Sequence, residues 1–213
     1  MTTIVPADRQ LAVDFAPPTL RPAFLTLLSL DARFAQIVRA TREPMVGQMR
    51  LTWWRDALGR LDSEAAPAEP LLRDVQEHVL PTGIGGAEAA TLIEGWEVLL
   101  DPLDAASIDS HGEHRGARLF ALAGRLMPGD PETLAAAGRG WALADLAAHL
   151  TQAGAASIAA DAARVAFHSA FSKTWPSTAR PLGALALIQS LQLEGKRPLQ
   201  NVLRMTRFRL TGR

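Results

Sequence analysis

The residues of this chain that could bind a metal ion or perform catalysis are few and scattered. His111, Glu113 and His114 stand close together, but no further ligand follows at a spacing typical of zinc sites. The absence of cysteine excludes disulfides, thiolate zinc sites and cysteine nucleophiles. The sequence also shows no glycine-rich phosphate loop, no serine–histidine–aspartate pattern and no aromatic-basic nucleic-acid motif. We therefore expect no catalytic residue, no metal site and no nucleic-acid partner.

Asp31 is an acid in an unexpected position. It lies among apolar residues on one face of a predicted helix over residues 22–41. A carboxylate on such a face needs a cation or hydrogen-bond donors, because burying an unpaired charge is costly. We expect Arg50 or Arg55 to pair with it at the rim of a helix pair.

Several arginines in the same part of the chain indicate a second kind of chemistry. They could line the mouth of a pocket and hold an anion without a metal ion. They could equally pair with nearby acids such as Asp31 and Asp56. Both interpretations are open at the level of sequence. The arginines are Arg33, Arg39, Arg50 and Arg55.

Helices must position these side chains, because the composition disfavours strands. Alanine and leucine dominate the 213 residues, tyrosine is absent, and hydrophobic residues make up 48% of the chain. This length predicts one all-α domain with a substantial core. No apolar run is long enough to span a bilayer and no signal sequence opens the chain, so we expect a cytoplasmic protein.

The clearest predicted helix covers residues 41–62 and contains two adjacent tryptophans. Pro44 suits a first helical turn, where its missing N–H removes no bond. Met45, Met49 and Trp53 recur every fourth residue, and Trp54 continues a neighbouring stripe. This spacing predicts that both indoles are buried. Residues 101–115 indicate a polar connection that becomes helical toward Leu119. The other predicted helices are 71–80, 87–100, 131–154, 155–171 and 182–193.

The run EPMVGQMRLTWWRDAL at residues 43–58 resembles a segment of the squalene/phytoene synthase family. Glu94, Gly95 and Glu97 are similar to a further acidic element of that family, and weaker similarity covers 20–150 and 180–213. The resemblance implies an isoprenoid synthase-type helical bundle, shortened at its C-terminal end. In this run the chain also resembles a divergent branch of the family that includes mitochondrial assembly factors of respiratory complex I.

In the resembling synthases, two aspartate-rich motifs hold the magnesium ions that bind the diphosphate of a prenyl donor. Alignment on Pro44 places the first set of aspartates on residues that carry no carboxylate, and the second motif fails in the same way. The resemblance therefore implies a non-catalytic protein without a cofactor. The motif positions are Ala35, Gln36 and Arg39 in the first helix and Ala147, Leu150 and Thr151 in the second.

The favoured function is the binding of a protein partner, or of an isoprenoid or lipid ligand, with assembly of a respiratory complex as the role implied by the resemblance. The alternative is a divergent prenyl-diphosphate transferase whose magnesium is held by Glu94 and Glu97. The candidate pocket or anion-binding residues are Asp31, Arg33, Gln36, Arg39, Gln48, Arg50, Trp53, Trp54, Arg55, Glu94 and Glu97.

Charge divides the chain unevenly although the formal net charge is zero. From Arg164 onward there are nine basic residues and one acid, so the preceding part carries the opposite excess. We divide the chain into an N-terminal arm (1–19), the helical domain (20–195) and a basic amphipathic tail (196–213). The tail either docks on the acidic body of the protein or offers a surface to an anionic membrane or a protein partner.

Overall fold

The structure, a computed structural model, describes residues 7–195 and 198–213. The regular elements of this described part are all helices, with no strand, which confirms the all-α class. The α-helices are α1 (Ala7–Phe15), α2 (Arg21–Ala40), α3 (Pro44–Arg60), α4 (Pro70–Asp74), α5 (Gly86–Ala90), α6 (Glu94–Glu97), α7 (Ala105–His111), α8 (Arg118–Leu126), α9 (Pro131–His149), α10 (Ala153–Ala170), α11 (Arg180–Leu193) and α12 (Pro198–Thr211). Short 3₁₀ turns are Leu80–Thr82, Thr91–Ile93 and Ser177–Ala179, and π-helical segments are Val75–Val79 and Gly112–Ala117.

Local sequence signals account for most helix starts. Proline stands in the first turn of α2, α3, α4, α9 and α11, where its fixed φ favours helix and no N–H is lost. Asp130 caps α9 by accepting a hydrogen bond from the backbone N–H of Thr133 at 3.0 Å. Asp104 caps α7 in the same way, through Ser107 at 2.7 Å. The prediction of a polar connection over 101–115 was therefore wrong from Ala105 onward.

Helix α9 lies at the centre of the bundle. It contacts α8, α10 and α11, and also the π-helical segment Gly112–Ala117. This last contact is close because two glycines face each other: a Cβ on Gly116 would stand 2.1 Å from the carbonyl oxygen of Gly138. The segment that carries Arg115 is therefore held directly against α9.

Helix α3 buries only one of the two apolar stripes that its sequence spacing suggested. Trp54 is 5% exposed, but Trp53 is 47% exposed, and Met45 and Met49 face solvent. The prediction that both indoles are buried was thus wrong for Trp53. The reason is long-range packing: α3 approaches Leu100 so closely at Gly47 that a Cβ there would lie 2.7 Å from the leucine side chain. The buried stripe begins at Gly47 and continues through Leu51, Trp54, Leu58 and Leu61.

Both ends of the described chain are helical and packed. The predicted arm 1–19 is helical over Ala7–Phe15, where α1 contacts α2 and α11, while residues 1–6 lie outside the described part. The predicted tail begins at Lys196, which also lies outside it. Helix α12 contacts α11 and buries Phe208 against Trp175, so the tail docks on its own domain. None of the described helices combines the length and hydropathy that crossing a bilayer requires.

Candidate functional site

Asp31 lies in a buried group of four charged residues, Arg9, Asp31, Arg115 and Asp145, which we call the core charge cluster. Arg115 donates two parallel hydrogen bonds to Asp31, from Nε to Oδ1 at 2.8 Å and from Nη2 to Oδ2 at 3.0 Å. Its Nη1 donates to Asp145 Oδ2 at 2.7 Å. Arg9 Nη1 donates to Asp31 Oδ2 at 2.8 Å. The cluster joins α1, α2 and α9 through the segment that carries Arg115.

Indole rings enclose the guanidinium of Arg115. Its Cζ lies 4.2 Å from the ring centroid of Trp96 and 4.5 Å from that of Trp141. A cation over an aromatic face gains electrostatic attraction that burial strengthens. The Nε1–H of Trp96 also donates to Asp31 Oδ1 at 3.0 Å. Trp96 therefore contacts both members of the central ion pair.

His111 supports the same cluster from one helical turn before Arg115. Its Nδ1 lies 2.5 Å from the carbonyl oxygen of Gly95, and its Nε2 lies 3.2 Å from Arg115 Nη1. A carbonyl only accepts and a guanidinium only donates, so a neutral ring with the proton on Nδ1 satisfies both contacts. Burial, and then the charge of Arg115, lowers the pKa of His111 to about 3. The imidazole is therefore neutral at physiological pH.

The acids of the cluster are held ionised by their arginines. Burial by itself would raise the pKa of Asp31, but the charges of Arg115 and Arg9 outweigh it and lower that pKa below its ordinary value. For Asp145 burial again opposes ionisation, and the same two arginines lower its pKa to about 2. Two cations thus neutralise two carboxylates inside the bundle.

The sequence-based expectation for the partner of Asp31 was wrong. Neither Arg50 nor Arg55 reaches it; the cations are Arg9 and Arg115, which stand 22 and 84 residues away in sequence. A signal for Asp145 was present, because it stands between buried apolar residues of α9 just as Asp31 does in α2. Arg9 was missed because residues 1–19 were expected to form an arm.

The residues present do not fit a magnesium-diphosphate site. At the positions that the resemblance assigns to the two motifs, Ala35 is buried and Gln36 and Arg39 are exposed, while Ala147 and Leu150 are half-buried and Thr151 is exposed. The two inward acids, Asp31 and Asp145, both accept from Arg115. Within residues 7–195 and 198–213, no group of three or more acids, histidines or cysteines could hold a metal ion.

Glu94 and Glu97, the acids of the alternative magnesium site, belong to separate ion pairs at the rim of the bundle. Glu94 Oε2 lies 3.3 Å from Arg118 Nη1, and Glu97 Oε2 lies 2.5 Å from Arg55 Nη2. Each carboxylate therefore has a cation of its own. This arrangement neutralises the acids rather than presenting them as a pair to a divalent ion.

An open pocket lies between α2 and α3, and we call it the α2–α3 pocket. Its volume is about 340 Å³. The guanidinium of Arg33 stands 5.6 Å from the ring centroid of Trp54 and 3.7 Å from Glu69 Oε1. The rings of Trp53 and Trp54 meet edge to face. The pocket is lined by Arg33, Gln36, Ile37, Ala40, Arg50, Trp53 and Trp54.

The candidate residues that the sequence suggested thus lie at several different sites in the structure. One group lines the α2–α3 pocket and combines cationic and aromatic side chains, which suits a ligand with both an anionic and an apolar part. Asp31 belongs to the core charge cluster, and Arg55 and Glu97 form a rim ion pair. Arg39 and Gln48 are exposed and do not line the pocket. The pocket group is Arg33, Gln36, Arg50, Trp53 and Trp54.

The chain resembles a known protein family over most of its length. The family model described as squalene/phytoene synthase matches residues 5–156, well over half of the chain. The matched region includes all four residues of the core charge cluster. No curated protein matches the chain.

Proposed function

Because the chain belongs to the squalene/phytoene synthase family, we propose that it is a non-catalytic member that uses the helical bundle for binding. Condensation of prenyl diphosphates requires a diphosphate to leave, and its developing charge must be balanced inside an apolar cavity. In the family, magnesium ions on carboxylates supply that balance. This chain would have to balance the charge of the leaving diphosphate with other residues.

The observation that carries the proposal is the pairing of the inward acids. Asp31 and Asp145 are neutralised by Arg115 and Arg9, and these contacts engage both carboxylate oxygens of Asp31 and one of Asp145. The resemblance places the aspartates of the first motif at Ala35, Gln36 and Arg39, which carry no carboxylate. Both findings support loss of the magnesium-dependent reaction.

The binding role that we propose belongs to the α2–α3 pocket. It has two arginines and two tryptophans in its lining, and Trp53 keeps nearly half of its surface exposed. An isoprenoid or lipid that carries an anionic group would match this lining without a metal ion, and so would an acidic, apolar segment of a protein partner. Assembly of a respiratory complex is the specific role that the resemblance of residues 43–58 favours.

Turnover assays test the non-catalytic part of the proposal. We expect no carbon–carbon bond formation from farnesyl or geranylgeranyl diphosphate with magnesium, and no magnesium-dependent diphosphate binding by calorimetry. Product formation that disappears when Glu94 and Glu97 are both changed to glutamine would overturn it and favour a divergent prenyl transferase.

Binding assays with matched variants test the pocket. The double variant Arg50→Glu/Trp53→Ala should bind farnesyl phosphate, or recover respiratory-complex subunits from native cells, less well than the wild type. Arg73→Glu/Val165→Ala changes an exposed arginine on α4 and an exposed apolar residue on α10, so it serves as the control. Equal recovery and equal affinity for all three proteins would remove the pocket from the proposal.

A further inference from the structure

Helix α12 has two apolar faces, and only one of them is used within the domain. The inner face buries Met205 and Phe208, and Phe208 meets Trp175 at a ring-centroid distance of 6.0 Å. On the outer face, Leu203 is 71% exposed and Leu210 is 72% exposed. These two leucines lie seven residues apart on the same face and leave most of their surface in water.

The outer face continues into an apolar groove of about 620 Å³ between α1, α11 and α12. Val202 and Leu210 form one side of the groove, and Leu11 of α1, which is also exposed, forms the other. Phe15 and Leu191 also line it. The groove is therefore open to solvent, and most of the side chains that line it are apolar.

The charge on this helix has one sign. Arginines stand at 204, 207, 209 and 213, and no acid occurs from Pro198 to the last residue. Arg204 pairs with Glu194 at 3.1 Å, and the guanidinium of Arg209 lies over the ring of Phe15. Arg207 is exposed and, four residues from Leu203 and three from Leu210, projects from the same outer face.

We propose that the outer face of α12, together with the groove, docks on the surface of an anionic lipid bilayer. Leu203 and Leu210 would enter the boundary between head groups and acyl chains, and Arg207, which is exposed on the same face, would pair with lipid phosphates. The basic charge of α12 matches an anionic surface. An acyl chain that enters the apolar groove would be removed from water, which is favourable. This inference does not depend on the α2–α3 pocket, which lies between other helices.

Vesicle flotation with the full chain tests the proposal. We expect binding to phosphatidylcholine vesicles that contain phosphatidylglycerol, little binding to phosphatidylcholine alone, and a decline as salt is raised. Equal binding to both kinds of vesicle, or to neither, would overturn it. Capture by polyglutamate without vesicle binding would also overturn it, because it would identify an acidic protein as the partner.

Point variants at exposed positions test the surface without destabilising the fold. Arg207→Glu and Leu203→Asp/Leu210→Asp should each weaken vesicle binding by about tenfold or more, since one reverses a charge and the other removes the inserted side chains. The matched controls are Arg73→Glu on α4 and Val165→Asp on α10, where Val165 is 72% exposed. All variants should keep the wild-type unfolding temperature.

Leu11→Asp tests the groove separately, because Leu11 belongs to α1 and not to α12. We expect it to weaken vesicle binding as well. Full binding by this variant would overturn the part of the proposal that assigns the groove to a lipid chain. An equal loss in the two control variants would overturn the assignment of the surface as a whole.

Discussion

At the scale of single residues, Arg115 has the largest structural role. It is fully buried, bonds to Asp31 with two hydrogen bonds and to Asp145 with one, and lies between two indoles. Removing charges from water is costly, and a buried ion pair repays that cost only when its geometry is good and its other donors are satisfied. Here the bidentate contact meets the first condition and the acceptors Asp145 and His111 help to meet the second.

Replacement of Arg115 by methionine should therefore destabilise the protein by about 3–5 kcal/mol, because two carboxylates would be left with one buried cation. Urea unfolding followed by circular dichroism measures this change. Arg164→Met is the control: Arg164 pairs with Asp161 on the surface of α10, so its loss should cost about 1 kcal/mol or less. Similar costs for the two variants would show that the core charge cluster contributes little.

His111 should make the stability depend on pH in a window set by its shifted pKa. Its pKa is about 3 in the folded protein and about 6.5 when unfolded, so the unfolded chain binds the extra proton between these values. The contribution of neutral His111 to the free energy of unfolding is then fully present above pH ~6.5. It falls by about 1.4 kcal/mol per pH unit as the pH is lowered towards the pKa of the folded protein.

The measurement is urea unfolding between pH ~6.5 and ~5, above the range in which the unfolded chain begins to protonate its aspartates and the stability contributed by Asp31 and Asp145 begins to fall. His111→Gln should remove most of this slope, whereas His168→Gln, on the exposed face of α10, should keep it. A wild-type slope in His111→Gln would assign the acid sensitivity to other groups.

At the scale of the elements, a glycine contact positions the core charge cluster. The π-helical segment Gly112–Ala117 widens the helix just before α8 and brings Arg115 towards α2 and α9. Gly116 and Gly138 allow this approach, since a Cβ on either would stand just over 2 Å from the carbonyl oxygen of the other. Backbone meets backbone at this point, so neither side can move aside as a flexible side chain would.

Gly138→Ala should consequently cost about 1–3 kcal/mol, towards the upper end because the obstructing atom belongs to the backbone. Thermal unfolding measures it. Gly59→Ala in α3 is the matched control: nothing lies within 4 Å of the added Cβ, so alanine should be neutral or stabilise by up to about 1 kcal/mol. A wild-type unfolding temperature for Gly138→Ala would mean that α9 and the π-helical segment can separate at little cost.

At the scale of the whole molecule, α12, the last helix of the chain, packs on the rest of the bundle through α11. Phe208 packs edge to face on Phe171 and lies against Gly183, where a Cβ would come within 2.4 Å of its ring. The backbone N–H of Trp175 donates to the carbonyl oxygen of Gly212 at 3.0 Å. The last helix is thus part of the core as well as a candidate membrane surface.

Removal of residues 196–213 should therefore destabilise the domain and not merely delete a docking surface. Phe208→Ala alone should cost about 3–5 kcal/mol in urea unfolding, because it leaves a cavity beside Trp175. Leu203→Ala, which changes only the solvated face, should cost about 0.5 kcal/mol or less. A truncated protein with an unchanged unfolding midpoint would show that α12 does not contribute to the core.

The sequence by itself determined the all-α class, the membership suggested by residues 43–58 and most helix starts, since proline, caps and composition act within a few residues. Only the tertiary structure decided which face of α3 is buried, because the stripes of Trp53 and Trp54 have the same helical spacing and the choice rests on the contact of Gly47 with Leu100. It alone decided the partners of Asp31. Ion pairs across 22 and 84 residues depend on how helices assemble, and no local pattern contains that information.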